Sequence, residues 1–238
     1  MTPRNNLKGK NVLLTGATGG LGTELARKFK EGGCNVFVVG RNPEKLTKLK
    51  EELGIMHSYS SDFTDGSPSA LIGAVRDVFP AGVDILINCA GSFFVKSLEE
   101  TTLEDYRFCM EVNLNIPYLL CKEFASNMKE RQWGRIINVA SSSAYGAAPK
   151  TSAYSAAKHG LLGLSRALHN ELKNQGVRVI CVSPGSIQTP MGREVEKLGQ
   201  RYDTFLDPAE IAEYIFYNAS LDGEMIAEEI RLNRINIQ

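Results

Sequence analysis

No cysteine in this chain belongs to a C-x-x-C pair, no two histidines fall four residues apart, and no apolar run approaches the roughly 18 residues that a membrane helix needs. The five cysteines, at positions 34, 89, 109, 121 and 181, are scattered, and several sit within apolar runs. That pattern points to buried free thiols in a reducing cytosol, not to a disulfide framework. His57, His159 and His169 show no metal-ligand spacing, so no metal site is expected. Charge of one sign is lacking too: 27 basic residues face 27 acidic ones, with no run of Lys or Arg. Nucleic acid and anionic membrane are therefore not expected partners. Met1 to Lys10 is polar and holds no apolar signal core, which makes the cytoplasm the expected location. No linker, fixed-period repeat or low-complexity segment divides the chain.

What the chain does have is alternation. Short apolar runs predict strands at Asn11–Thr15, Cys34–Val39, Ile55–Ser60, Val83–Asn88, Arg135–Ala140, Val177–Val182 and Glu229–Ile237. Helical patterns fall between them, at Leu21–Lys30, from Asn42 to about Leu53, Asp65–Val78, Leu103–Lys129, Ser152–Asn174 and Pro208–Ala219. Asn42 and Pro43 form a good helix start, with Asn as cap and Pro at the first helical position. Strands that are apolar throughout, separated by helices, predict a doubly wound parallel sheet covered on both faces. At 238 residues, one α/β domain spanning 1–238 is the economical reading. In such sheets ligands bind outside the carboxyl ends of the strands.

Two motifs fall at such ends. The first strand runs into Gly16-Ala17-Thr18-Gly19-Gly20-Leu21-Gly22 and then a helix. Glycines permit a tight turn, and the helix N-terminus offers free N–H groups and positive dipole to a pyrophosphate. The spacing fits T-G-x-x-x-G-x-G through Gly16, Gly20 and Gly22. Further on, Tyr154 and Lys158 stand four residues apart in a helical segment, so they share a face. A fixed cation beside a phenol lowers its pKa from the usual value of about 10, which makes a usable general acid or base. A third feature is Pro117, four residues after Asn113. Proline has no N–H, so the helical bond to the carbonyl of Asn113 cannot form.

Together these features resemble the classical short-chain dehydrogenase/reductase family, of the kind that includes 3-oxoacyl-[acyl-carrier-protein] reductases. Further matches are Asn88-Cys89-Ala90-Gly91 after the fourth strand, Asn113 in a V-N-L context, Ser141 thirteen residues before Tyr154, and Ser183-Pro184-Gly185 after the sixth strand. The resemblance spans roughly residues 8 to 219 and implies a single Rossmann-type sheet. The alternative spacing T-G-x-x-G-x-x-G, through Gly16, Gly19 and Gly22, belongs to nucleotide-sugar epimerases. It is set aside because little sequence follows Gly185 to build their substrate domain.

The resemblance implies reversible hydride transfer between a nicotinamide cofactor and a carbonyl. Tyr154 would move the proton, Lys158 would tune it and hold the nicotinamide ribose, Ser141 would steady the oxygen, and the carbonyl of Asn113 would hold a relay water. Ser142 and Ser143 compete with Ser141 on composition; spacing to Tyr154 selects Ser141. The implied cofactor-binding residues are Gly16, Thr18, Gly19, Gly20, Leu21 and Gly22 at the turn, then Asp62 and Phe63 at the adenine. Asn88, Ala90 and Gly91 follow on the ribose side, with Tyr154, Lys158, Pro184, Gly185, Ile187 and Thr189 toward the nicotinamide. Sites that prefer NAD usually end the second strand in Asp or Glu; here Gly40 is followed by Arg41. A guanidinium can fork onto a 2′-phosphate, so NADP(H) is expected in preference to NAD(H).

Phe93 and Tyr145 are expected near the pocket mouth. The tail lacks the Gly-Gly pair of acyl-carrier-protein reductases, and the lid segment between Thr189 and Asp207 is short. An open pocket, or one completed by a neighbouring subunit, is expected. The family commonly forms dimers and tetramers through its two long helices, here near 103–129 and 152–174. The expected activity is reduction of a ketone or 3-oxoacyl thioester. The alternative is a catalytically silent NADP(H) sensor or scaffold on the same fold, against which the intact Ser141, Tyr154 and Lys158 argue.

Overall fold

A computed structural model describes residues 6–64 and 67–235. Seven strands form one parallel sheet: β1 (Asn11–Thr15), β2 (Asn35–Gly40), β3 (His57–Ser60), β4 (Ile85–Asn88), β5 (Gly134–Val139), β6 (Val177–Pro184) and β7 (Glu229–Leu232). Their order is β3-β2-β1-β4-β5-β6-β7, every neighbouring pair parallel. Side chains alternate between the two faces of a strand. Val12, Leu14, Val36, Val38, Ile85 and Ile87 accordingly face one core, and Leu13, Phe37, Val39, Leu86 and Ile136 face the other.

The first core is closed by α1 (Gly20–Glu31), α2 (Pro43–Leu53) and α7 (Pro208–Ser220), through Leu25, Phe29, Leu46, Ile211 and Ile215. The second is closed by α3 (Ser69–Val78), α5 (Ile116–Glu130) and the end of α6 (Ser152–Leu172), through Leu71, Val75, Leu120, Phe124 and Leu172. Asn42 caps α2 as its sequence predicts, its Oδ1 accepting from Lys45 N at 2.9 Å, and Gly54 ends the helix at φ 61°. No helix among the described residues is long and apolar enough to cross a membrane. All five cysteines are free.

The structure departs from the sequence expectations at three places. The stretch 103–129 is not one helix. It divides into α4 (Leu103–Met110), a π turn at Glu111–Asn115, and α5. Because Pro117 offers no N–H, the ladder ahead of it shifts register, and Ile116 N–H bonds the carbonyl of Glu111 five residues back. The strand expected at Glu229–Ile237 stops at Leu232, and Ile237 lies outside the described residues. Arg234 turns away to donate to Thr204 Oγ1 at 2.6 Å and Gln200 Oε1 at 3.1 Å. The third helix begins at Ser69, with Pro68 in the cap position; Asp65 lies outside the described residues.

Candidate active site

The loops at the carboxyl ends of β1 to β6 enclose a cleft of about 670 Å³. Its floor is the turn between β1 and α1. Gly16 there has φ 72°, a left-handed value that suits glycine, and a Cβ on it would lie 2.7 Å from the backbone of Ala90. Thr15 makes this approach firm: its Oγ1 accepts N–H groups of both Cys89 (3.2 Å) and Ala90 (3.1 Å). Gly20 lets the first turn of α1 lie against Thr189, to which a Cβ would come within 2.5 Å. Gly19 caps α1 with no side-chain hydrogen bond, and the first turn carries no acidic residue. The first-turn N–H groups, which a helix leaves without an intrahelical acceptor, stand at its positive end and fit a phosphate group.

One end of the cleft, beyond β2 and β3, carries Arg41, Lys45 and Asp62. Arg41 is exposed, while its neighbour Asn42 is committed to capping α2. Hydrogen bonds from the backbone and hydroxyl of Thr64 hold the Asp62 carboxyl below its usual range, with a smaller contribution from Arg41. Phe63 has φ 62°; its ring packs in the second core. Lys45 is not among the sequence-derived site residues. As the third residue of α2 it falls one helical turn beyond Arg41, a spacing that could have flagged it.

At the other end stand Ser141, Tyr154 and Lys158. Tyr154 and Lys158 lie on the inward face of α6, which the apolar pattern Ala153, Ala157, Leu161 and Leu162 turns toward the sheet. Lys158 is 3% exposed, and its Nζ donates to the carbonyl of Val139 at 2.9 Å. Ser141 Oγ accepts from Ser143 N at 3.1 Å, which fixes the serine turn after β5. Phe93 meets the Tyr154 ring edge-on, centroids 4.8 Å apart.

The electrostatics differ from the sequence expectation. Burial pushes the Tyr154 phenol up to about 12, eased by a hydrogen bond from Ser141, and pushes the Lys158 ammonium down to about 8. Spacing alone predicts a lowered phenol. In the protein by itself desolvation of the phenolate sets the direction, and the lowering comes from Ser141; the Lys158 ammonium sits 5.6 Å from the ring centroid.

The remaining sequence-derived residues sort clearly. Thr18, Leu21, Gly22, Ala90, Gly91, Pro184, Gly185, Ile187 and Thr189 line the cleft with those already named. Asn88 and Asn113 stand behind its wall. Asn88 Nδ2 donates to Asn138 Oδ1 at 2.8 Å, tying β4 to β5. Asn113 is fully buried, and its Nδ2 donates to the carbonyls of Ser92 and Cys109, both at 2.8 Å, bracing the loop after β4 against α4. Tyr145 is turned away from the cleft, donating to Glu229 Oε2 at 2.8 Å with Arg231 over its ring. The short lid segment still reaches the cleft: Met191, Val195, Leu198 and Gln200 line it.

Known proteins are similar to this chain in sequence and fold. A family model described as short chain dehydrogenase matches residues 10–198. The chain is 34% identical over 189 residues to D-beta-hydroxybutyrate dehydrogenase of Rhizobium meliloti (strain 1021), covering 76% of this chain and 73% of that protein. It is 30% identical over 235 residues to (2S)-[(R)-hydroxy(phenyl)methyl]succinyl-CoA dehydrogenase subunit BbsD of Thauera aromatica, covering 94% of each. A point variant of actinorhodin polyketide ketoreductase solved with NADPH superposes with a TM-score of 0.84 at 29% identity, covering 95% of this chain and 96% of that one. With the parallel sheet, the glycine turn and the Ser141, Tyr154 and Lys158 cluster in place, the chain belongs to the short-chain dehydrogenase family.

Proposed function

We propose that this chain is a single-domain, NADPH-dependent carbonyl reductase that interconverts a ketone or 3-oxoacyl thioester and the secondary alcohol. One observation carries the reading: Ser141, Tyr154 and Lys158 share a cleft with the uncapped N-terminus of α1 and with Arg41. The turn from Gly16 to Gly22 would hold the pyrophosphate, and Arg41 with Lys45 the 2′-phosphate. Asp62 and Phe63 would border the adenine, Ala90 and Gly91 the adjacent ribose. Lys158 would take the nicotinamide ribose hydroxyls, and Pro184, Gly185, Ile187 and Thr189 the carboxamide side. Asn88 would act from behind, through β4. When bound, the cofactor supplies the hydride.

The residues of the chain do the rest. Tyr154, protonated at neutral pH, donates its proton to the substrate oxygen as negative charge gathers there. The Ser141 hydroxyl donates a second hydrogen bond to that oxygen, in place before charge develops. Lys158, largely charged at neutral pH, steadies the tyrosinate left behind. Asn113 braces the wall, and its carbonyl, spared a helical bond by Pro117, would serve the proton's return path. The names of the relatives, a hydroxybutyrate dehydrogenase, a succinyl-CoA-type dehydrogenase and a polyketide ketoreductase, support a 3-oxoacyl compound.

Leu103, Tyr106 and Tyr118 are exposed on α4 and α5, which supports a homodimer or homotetramer built on those helices. Five free thiols support a cytoplasmic home. Purified protein should oxidise NADPH with a carbonyl panel, and Tyr154→Phe should do so about 10³-fold more slowly. Turnover undiminished by the substitution would refute the mechanism. NADPH binding with no turnover on the panel would favour a sensor.

A further inference from the structure

One wall of the cleft is not built on the sheet. Met191, Val195, Leu198 and Gln200 line it from the loop between β6 and α7. Over 191–205 this lid holds only 3₁₀ turns, and Gly192 and Phe205 are its only buried residues. Its ion pairs are local: Arg193 with Glu196, Lys197 with Glu194, and Arg201 with Asp203. A segment with so few buried contacts opens at low cost unless something fastens it.

Ser186 Oγ donates to Gln200 Oε1 at 3.0 Å, and Gln188 Nε2 donates to the carbonyl of Asp203 at 3.3 Å, but both donors belong to the same loop. The remaining fastening comes from Arg234, just past β7. Its Nη1 donates to Thr204 Oγ1 at 2.6 Å and its Nη2 to Gln200 Oε1 at 3.1 Å, with the guanidinium carbon 5.3 Å from the Phe205 ring centroid. Among the described residues, these are the only hydrogen bonds that reach the lid from outside its own loop. A guanidinium presents its donors in a fixed plane and can bridge two acceptors at once, which a lysine cannot do in the same way. Gln200 carries the hold into the site, since its oxygen takes Arg234 while its side chain lines the cleft.

We infer that Arg234 is a positioning residue: it latches the lid from the far edge of the sheet and so completes the wall against which the substrate is held. What the wall holds rests on the carbonyl-reductase reading; the latch itself does not.

Trypsin tests the latch without turnover. Lys197 and Arg201 are exposed on the lid, and cleavage there follows the population of the opened segment. Arg234→Ala should speed these cuts by about tenfold or more, the scale of two lost hydrogen bonds from a charged group. Thr204→Val removes one acceptor at nearly constant volume and should give a smaller increase. Arg234→Lys should recover part of the protection. Combining Arg234→Ala with Thr204→Val should fall short of the product of the separate effects, because the two share one bond. Unchanged cleavage at the lid, or an increase spread over the whole chain with a lower urea midpoint, overturns the latch.

In the NADPH assay, Arg234→Ala should raise the KM for the carbonyl compound by about tenfold and leave kcat nearly unchanged. The bond from Lys158 to Val139 that frames the reacting groups is untouched by the change. A loss confined to kcat would overturn the inference. Faster lid cleavage in a protein that turns over no carbonyl would support the latch while sinking the carbonyl-reductase reading.

Discussion

The Nζ of Lys158 reaches across from α6 to the main-chain carbonyl of Val139, nineteen residues earlier at the end of β5, at 2.9 Å. This bond holds a long, flexible side chain in one place. It also joins the helix bearing the phenol to the strand that leads into the Ser141 turn, so three site residues share one rigid frame. Holding an ammonium in so dry a position costs stability, which is expected at sites shaped for chemistry.

Lys158→Met should therefore raise the stability of the protein alone by about 1–2 kcal/mol at pH 7, since it removes a desolvated charge and keeps most of the packing volume. The same variant should lose turnover. Urea unfolding beside an NADPH assay checks both, and a less stable variant would contradict the electrostatic account.

The pH dependence follows with a definite sign. Lys158 titrates at about 8 in the folded protein against an ordinary 10.5, so the unfolded chain binds more protons across that interval. The lysine's contribution to stability therefore rises as pH climbs from 8 toward 10, while the five thiols, all raised by desolvation, pull stability down over the same range. Tyr154 titrates at about 12 against an ordinary 10.0, so the folded protein keeps its proton longer, and stability should fall from pH 10 upward. Denaturation midpoints across this range should fall less steeply in the wild type than in Lys158→Met, the difference being the lysine's contribution.

Tyr154→Phe should lower kcat by about 10³-fold, near the middle of the range for a positioned general acid. The ring keeps its contact with Phe93, so the fold and the affinity for NADPH should be nearly unchanged. Fluorescence titration separates the two effects.

Cofactor preference should depend on the cations beyond β2. Arg41→Ala combined with Lys45→Ala should weaken NADPH binding by about 10- to 100-fold, the loss of charge-assisted bonds to one phosphate. NADH binding should change little. Equal loss for both cofactors would place the defect elsewhere.

Gly22→Ala sets two effects against each other. Alanine in a helix is ordinarily better than glycine by about 1 kcal/mol. Here the added methyl would overlap the carbonyl oxygen of Gly16 and lie 2.9 Å from Ala17 Cα. These are backbone atoms that no rotamer change can move, so a net loss of about 2–4 kcal/mol is expected by thermal or urea unfolding.

Much of this was legible from the residues because it is local. The strands announced themselves as short apolar runs, Asn42 and Pro43 marked α2, and the i, i+4 spacing put Tyr154 and Lys158 on one face. What escaped depends on contacts distant in sequence or on burial. Arg234 finds Gln200 across 34 positions, and no periodicity encodes that pairing. Asn88 was placed on the ribose side by its motif, yet its amide is spent on Asn138. The direction of the Tyr154 shift needed the depth of the site, which spacing does not carry.

The π turn ahead of Pro117 also acts as a phase shifter. Each residue of an α-helix advances the side chains by about 100°, so one additional residue in a turn rotates everything after it by that amount. In α4, Cys109 faces the site; in α5, Ile116, Leu120 and Phe124 face the second core. The additional residue lets one continuous rod serve both directions. A single deletion between 111 and 115 would thus rotate the two halves out of step, though every remaining side chain kept its own helical preference.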